Sequence, residues 1–196
     1  MTIRTLTTAA ALTLATAAAT PALADAERYV LDSSHSQIVF SYNHLGFSTS
    51  YGMFSGFEGE ISFDREEPSA SSVSVAFPVR SMLTGWEARF EHFMSADFFD
   101  AAEDEMVTFT STAIEVTSDT TALITGDLTL NGVTQEVVLD ATLNQTGDHP
   151  MEGKPWAGFE ATTTLLRSDF NVGAFAPYVS DEVEVRISIE AMKADA

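Results

Sequence analysis

Residues 122–143 read ALITGDLTLNGVTQEVVLDATL, and the Asn131-Gly132 pair at the centre decides the fold. Asn-Gly is the preferred two-residue type I′ turn, because both central residues must take φ > 0. Antiparallel pairing about it sets Leu130 opposite Val133, Gly126 opposite Val137, Ile124 opposite Leu139 and Ala122 opposite Ala141. All of these fall on one face. The other face carries Thr129 opposite Thr134 and Asp127 opposite Glu136, the latter a mildly unfavourable like-charge pair. A hairpin with one apolar and one polar face is half-buried, so the segment predicts two neighbouring strands around a water-excluded interior.

The same period of two runs outward from this hairpin in both directions. Toward the C-terminus it appears at Phe159/Ala161/Thr163/Leu165 and at Val183/Val185/Ile187/Ile189/Ala191. Toward the N-terminus it appears at Val107/Phe109 running on to Ile114/Val116, at Val73/Val75/Phe77/Val79, at Met53/Ser55/Phe57/Gly59/Ile61/Phe63 and at Ile38/Phe40/Tyr42. A short strand at Tyr29 to Leu31 completes the set. Pro78 predicts an edge or a bulge, since proline has no N–H for a ladder, and an edge there is where a homodimer would form. Two stretches break the alternation. Residues 85–95 (GWEARFEHFMS) place Trp86, Phe90, Phe93 and Met94 at helical spacing, and residues 168–178 are irregular.

Many short strands with one inserted helix predict an all-β protein, an eight-stranded antiparallel β-barrel of lipocalin-like form. An outer-membrane barrel would be apolar outside and polar within. Here the polar face carries Glu, Asp, Ser and Thr, which suits water outside. Eight strands enclose a space that side chains fill or that holds one apolar ligand. Alternation leaves both alternatives open.

Composition narrows the partners. The chain has 29 acidic against 9 basic residues, a net charge of −20, no cysteine and a hydrophobic fraction of 45%. That apolar content excludes an acidic disordered chain. The charge disfavours nucleic acid and anionic membrane surfaces. Without cysteine there is no disulfide, thiolate metal site or Cys nucleophile. Arg4 precedes an apolar run of about 14 residues, and Ala22-Leu23-Ala24 offers small residues for cleavage. Residues 1–24 therefore read as a secretory signal peptide and residues 25–196 as the working domain. The expected product is periplasmic or secreted, with no stable membrane insertion.

Four blocks resemble the YceI-like family of bacterial secreted proteins. They are YVLDSSHSQIVFSYNHLGFSTSYGMFSGFEGEISFD (29–64), SADFFD (95–100) with MVTFTST (106–112), GDLTLNGVTQEVVLDATLN (126–144) and GFEATTTLLRSDFNVGAFAPYVSDEVEVRISIEA (158–191). The resemblance implies an elongated lipocalin-like barrel whose apolar cavity takes a long isoprenoid chain, such as a polyprenyl phosphate or ubiquinone. It departs from the family pattern around the helix. Ser81-Met82-Leu83-Thr84 stands where relatives show S-x-D-T, Arg89-Phe90-Glu91-His92-Phe93 where they show R-D-x-H-L, and Glu105-Met106 where Y-P is usual. Two acids are thereby replaced by apolar residues near the cavity mouth.

The candidate ligand-binding residues follow. Phe40, Tyr42, Phe57, Phe77, Phe109, Phe159 and Leu165 lie on apolar strand faces, as core or as ligand contacts. Trp86, Phe90, Phe93, Phe98 and Phe99 form an aromatic cluster, a docked helix or a lid. His44, Arg89, His92, Arg167 and Asp169 are the polar candidates for a ligand head group, and Phe170 is a further ligand-binding candidate. Arg89 and His92, three apart on a helix, share a side and suit a phosphate or quinone oxygen. Ser168 or Asp169 is a candidate helix cap. His35, His44, His92 and His149 show neither H-x-H nor H-E-x-x-H spacing, so no metal site is expected. No nucleophile elbow, phosphate loop or dinucleotide fingerprint is present, so the expectation is a carrier without a cofactor rather than an enzyme. Alternatives are an enzyme built from Arg89, His92 and Asp97, and a ligand-free stress-protective protein with a filled core.

Overall fold

Alternation over this many segments requires each strand to bury one face, and a closed sheet does so without leaving a hydrogen-bonding edge. The computed structural model describes residues 26–195, so the expected leader at 1–24 lies outside the described residues. Ten strands form one antiparallel sheet: β1 (Glu27–Leu31), β2 (Gln37–His44), β3 (Ser48–Phe54), β4 (Glu58–Phe63), β5 (Ser72–Pro78), β6 (Met106–Val116), β7 (Thr121–Leu130), β8 (Val133–Asp148), β9 (Pro155–Leu166) and β10 (Glu182–Lys193). One helix, α1 (Glu87–Phe93), is inserted between β5 and β6. The spatial order is β1-β4-β5-β6-β7-β8-β9-β10-β2-β3, and β10 also pairs with β1.

Ten strands occupy eight barrel positions. β1 and β2 lie end to end along β10, β1 against residues 191–193 and β2 against residues 184–188. β4 pairs with β1 and β3 with β2, so they fill the next position in the same split way. The result is a closed eight-position antiparallel barrel.

Each split has a local cause. Between β1 and β2 the Asp32 carboxylate accepts from the Ser34 N–H at 2.9 Å and pairs with His35 Nδ1 at 2.6 Å, turning the chain. Between β3 and β4, Gly56 takes φ +72°. That single residue reverses which side chains face inward. Phe54 rather than Met53 is therefore buried, while Phe57, Ile61 and Phe63 remain inside. The single alternating run expected from Met53 to Phe63 is two runs of opposite phase. β6 changes phase in the same way, by a bulge between Ser111 and Ala113, which lets Val107/Phe109 and Ile114/Val116 share the interior.

The β7–β8 hairpin has the register read from Asn131-Gly132, from Leu130 against Val133 to Ala122 against Ala141, with Asp127 against Glu136. β5 is not an edge strand, since it lies between β4 and β6. Its ladder with β4 stops at Ala76, however, and Pro78 is paired on one side only, with Met106, so the missing N–H falls where no ladder bond is made.

The barrel has two unlike ends. At the helix end the β2–β3 turn meets residues 175–180, with a bridge between His44 and Val179 and the Leu45 N–H donating to the Tyr178 carbonyl at 3.1 Å. Asn131 Nδ2 joins this end by donating to the Phe170 carbonyl at 3.0 Å. The far end carries the turns at 64–71, 117–121 and 149–154, and there Arg65 Nη2 donates to Thr146 Oγ1 at 2.9 Å.

Candidate functional site

Inward side chains meet across the barrel at one level, where the rings of Phe63 and Phe159 lie edge-on at 5.6 Å, but elsewhere the inward faces stay apart. They enclose a lumen of about 960 Å³ that reaches from Trp86 and Phe175 at the helix end to Ser118 and Thr146 at the far end. Its walls are overwhelmingly aliphatic and aromatic. Ile124, Leu128, Val137, Leu143, Leu165 and Ile187 all line it, and each is only half-buried because part of its side chain borders the open space. A void of this size lined by apolar groups loses dispersion contacts on every wall. The filled-core alternative is overturned by the lumen.

Two glycines hold that space open. Phe40 lies opposite Gly52 across β2 and β3. A Cβ at Gly52 would sit 2.2 Å from Phe40 Cζ, so the ring occupies the space a side chain there would need. The Phe109 ring lies over Gly126 in the same manner, 2.5 Å from a Cβ built there. Both rings are thereby laid along the wall of the lumen, against the neighbouring strand.

Of the candidates from the sequence, Phe40, Tyr42, His44, Phe57, Phe77, Phe109, Phe159 and Leu165 line the lumen from the strands. Trp86, Arg89, His92, Phe93, Phe98 and Phe99 line it from α1 and its flanks, and Arg167 and Phe170 from the turn after β9. Phe90 and Asp169 do not line it. On α1, residues 89, 92 and 93 share the inward stripe, while residue 90 is turned about 100° away from 89. Phe90 packs on the core and carries the Arg80 guanidinium 5.7 Å from its ring centre. Asp169 is exposed because the 3₁₀ turn Arg167–Phe170 rolls Phe170 inward instead.

The polar groups differ in how fully they are engaged. His92 Nε2 lies 3.3 Å from Asp97 Oδ2, with its ring 5.1 Å from Phe98 and 6.0 Å from Phe175. Arg89 makes one bond, from Nη1 to the Thr84 carbonyl at 3.2 Å, leaving most of its donors available at the lumen. Arg167 is committed elsewhere. Its guanidinium donates to the carbonyls of Ser180, Val172, Ala174 and Val179 at 2.8–3.2 Å. Burial lowers its pKa from the usual arginine value, with Asp181 and Tyr42 opposing that shift. Arg167 is thus the internal staple of the 168–181 loop. Ser168 caps no helix; it donates its N–H and hydroxyl to Asp181 at 2.8 and 2.6 Å.

The sequence pattern passed over Phe54, hidden by the phase change at Gly56, and Phe175, which sits in a stretch without periodicity. Register with Phe40 would have exposed the first, since Phe54 faces Ile38 two pairs along, on the same face. Among the described residues, Asp32, His35 and Glu190 also bring ligand atoms within 4.8 Å of one another. They lie outside the lumen lining, and Asp32 is already satisfied by the turn it caps.

The family model for the YceI-like domain matches residues 29–191. The chain belongs to the YceI-like family. A UPF0312 protein of Ectopseudomonas mendocina is 42% identical over 167 residues, covering 84% of this chain and 87% of that protein. Burkholderia cenocepacia BcnA has the same fold, with TM-score 0.73, 24% identity and coverage of 82% of this chain and 98% of BcnA. So does a polyisoprenoid binding domain from Saccharophagus degradans, with TM-score 0.66, 16% identity and coverage of 85% and 98%. Both structures align with the YceI-like barrel almost along their whole length.

Proposed function

We propose that this YceI-like protein is an exported carrier that holds a long isoprenoid chain, of a polyprenyl phosphate, a ubiquinone or a similar lipid, for transport, storage or sequestration. The observation that carries the reading is the lumen: about 960 Å³, continuous and apolar along its length. This lies at the upper end of the roughly 300–1,000 Å³ typical of ligand cavities. Burial of an apolar chain there gains roughly 25 cal/mol per Å², less the entropy of ordering it. The polyisoprenoid binding function named for the Saccharophagus degradans domain supports the same ligand class for this barrel.

The tail lies along Ile124, Leu128, Leu143 and Phe159, and the head group stays at the helix end, where Arg89 and His92 offer donors to phosphate or quinone oxygens. Export to the periplasm or beyond rests on the leader at residues 1–24. Family and lumen together favour binding over catalysis.

Native mass spectrometry of protein purified from its own host is the test, paired with quenching of Trp86 fluorescence by decylubiquinone. A long-chain lipid at near-stoichiometric yield is expected, as is quenching. Protein that arrives empty and binds no prenyl or acyl chain at micromolar concentration excludes the carrier role. Turnover of a lipid or quinone that is lost in Arg89→Ala while chain binding survives would point to an enzyme instead.

A further inference from the structure

The negative charge of this protein is not spread evenly. Three segments, 33–57, 68–86 and 170–180, contain no Asp or Glu in a chain with 29 of them. The fold gathers parts of all three at the helix end. Leu83 bridges Met53, His44 bridges Val179, and the Ser180 N–H donates to the Asn43 carbonyl at 3.0 Å. On this acid-free ground most of the large exposed apolar side chains among the described residues collect. Phe47 is 89% exposed, Tyr178 77%, Trp86 65%, Phe175 55% and Leu45 48%.

The backbone presents two of them at a disadvantage. Leu45 takes φ +58° and Phe175 φ +65°, in the left-handed region where bulky residues rarely sit. Leu45 is held there by its bond to Tyr178, and the Phe175 ring rests 6.0 Å from both His92 and Phe98. Strain kept at exposed apolar residues points toward function rather than folding. Acids at this end of the barrel lie on α1 (Glu87 and Glu91), just after it (Asp97), at the ends of the loop (Asp169 and Asp181) and at the start of β10 (Glu182 and Glu184). Among these, Asp97 is engaged with His92 and Asp181 with Ser168.

We propose that this apron is a docking surface for a lipid bilayer, through which the lumen exchanges its chain with a membrane. The inference rests on the carrier reading above. Tyr and Trp suit the bilayer interface, having apolar bodies and polar tips. A zwitterionic surface fits because the docking face is nearly free of charge. The acids elsewhere orient the molecule by repulsion from any anionic headgroups. Continuity with Trp86 and Phe175, which also line the lumen, gives the chain an apolar path from bilayer to cavity. Contact is shallow and reversible, made by side-chain tips on turns.

The test is co-sedimentation of the purified protein with phosphatidylcholine vesicles, against the variant Leu45→Asn/Phe47→Ser/Tyr178→Ser. None of the three lines the lumen, and Asn tolerates the backbone at position 45. Partitioning of the variant is expected to fall by about tenfold or more, with decylubiquinone quenching of Trp86 unchanged. Phosphatidylglycerol at low salt is expected to weaken wild-type binding. Equal partitioning of the two proteins, absence of both from the vesicle pellet, or stronger binding with phosphatidylglycerol overturns the proposal. So does a variant that merely changes from dimer to monomer in sedimentation velocity. If vesicle binding responds to the variant while decylubiquinone quenches neither protein, the docking surface stands and the carrier reading fails. Normal quenching with no vesicle binding leaves the carrier reading standing and removes the docking surface.

Discussion

The side of the barrel formed by β1, β4 and β5 and the wall formed by β7, β8 and β9 share one sheet, yet their interiors differ. On the first side aromatic rings fill the space between strands. Phe77 packs between Phe57 and, from neighbouring β3, Phe54 in tilted pairs at centroid distances of 4.8 and 5.1 Å, and Tyr29 meets Phe63 edge-on at 6.0 Å. On the other wall Ile124, Leu128, Val137 and Leu143 are half-buried aliphatic side chains that border the lumen. Closure and alternation are common to both, so neither explains the lumen. The lumen exists because medium-sized aliphatic side chains are too short to reach across an eight-position barrel, while stability is concentrated where rings can pack.

Truncation should separate the two regions most clearly. Phe77→Ala is expected to cost about 3–5 kcal/mol, since it leaves a hole among packed rings. Leu128→Ala on the open wall is expected to cost about 1 kcal/mol, because a half-buried side chain bordering the lumen loses less apolar burial and leaves no new enclosed hole. Urea denaturation of both reads the difference, and equal losses would break the comparison.

A smaller effect is expected at the glycine that sets the boundary. Gly52→Ala displaces the Phe40 ring toward the lumen and destabilises by about 1–3 kcal/mol. The longest prenyl chain retained in native mass spectrometry should shorten with it; unchanged length would mean the ring does not guard the cavity. The converse change is Leu128→Phe, which fills the open wall. It should leave stability equal or higher and reduce long-chain binding alone, measured by extraction of bound lipid.

The smallest effect lies at the turn that splits β1 from β2. A hydrogen bond to Asp32 holds the His35 pKa above its ordinary 6.5. That contribution is present in full below 6.5 and disappears as pH rises through the folded value. Burial raises the Asp32 pKa, but bonds from His35 and Ser34 outweigh it and leave the net value below 3.8, so its share is lost only in acid. Melting temperature should therefore decline slightly from about pH 6 to about pH 9, and His35→Gln should flatten that decline. An unchanged slope in the variant would remove His35 from the account.

Much of the architecture is legible locally. Asn131-Gly132 specifies its own turn and so the register of β7 and β8, and the run 182–191 alternates without interruption through β10. Identification of Phe77, Phe109 and Phe159 as inward-facing needs only the period of two. The differences have causes at two ranges. Phe54 rather than Met53 is buried because Gly56 shifts the phase two residues on, and Asp169 faces out because the turn Arg167–Phe170 carries Phe170 inward. That β5 has a strand on each side depended on contacts made far along the chain.

Strand identity, inward faces, the hairpin register, the acid excess and the family follow from the sequence by itself, because each is encoded by neighbours a few residues apart. Tertiary structure alone decided that the interior is hollow. That outcome depends on how far side chains from opposite strands reach toward each other. It depends also on Phe40 finding Gly52 and Phe109 finding Gly126 on adjacent strands, where the absence of a Cβ lets a ring lie flat. The acid-free face arose in the same way. Three separate stretches that merely lack carboxylates become one surface only when closure of the barrel brings their turns to the same end.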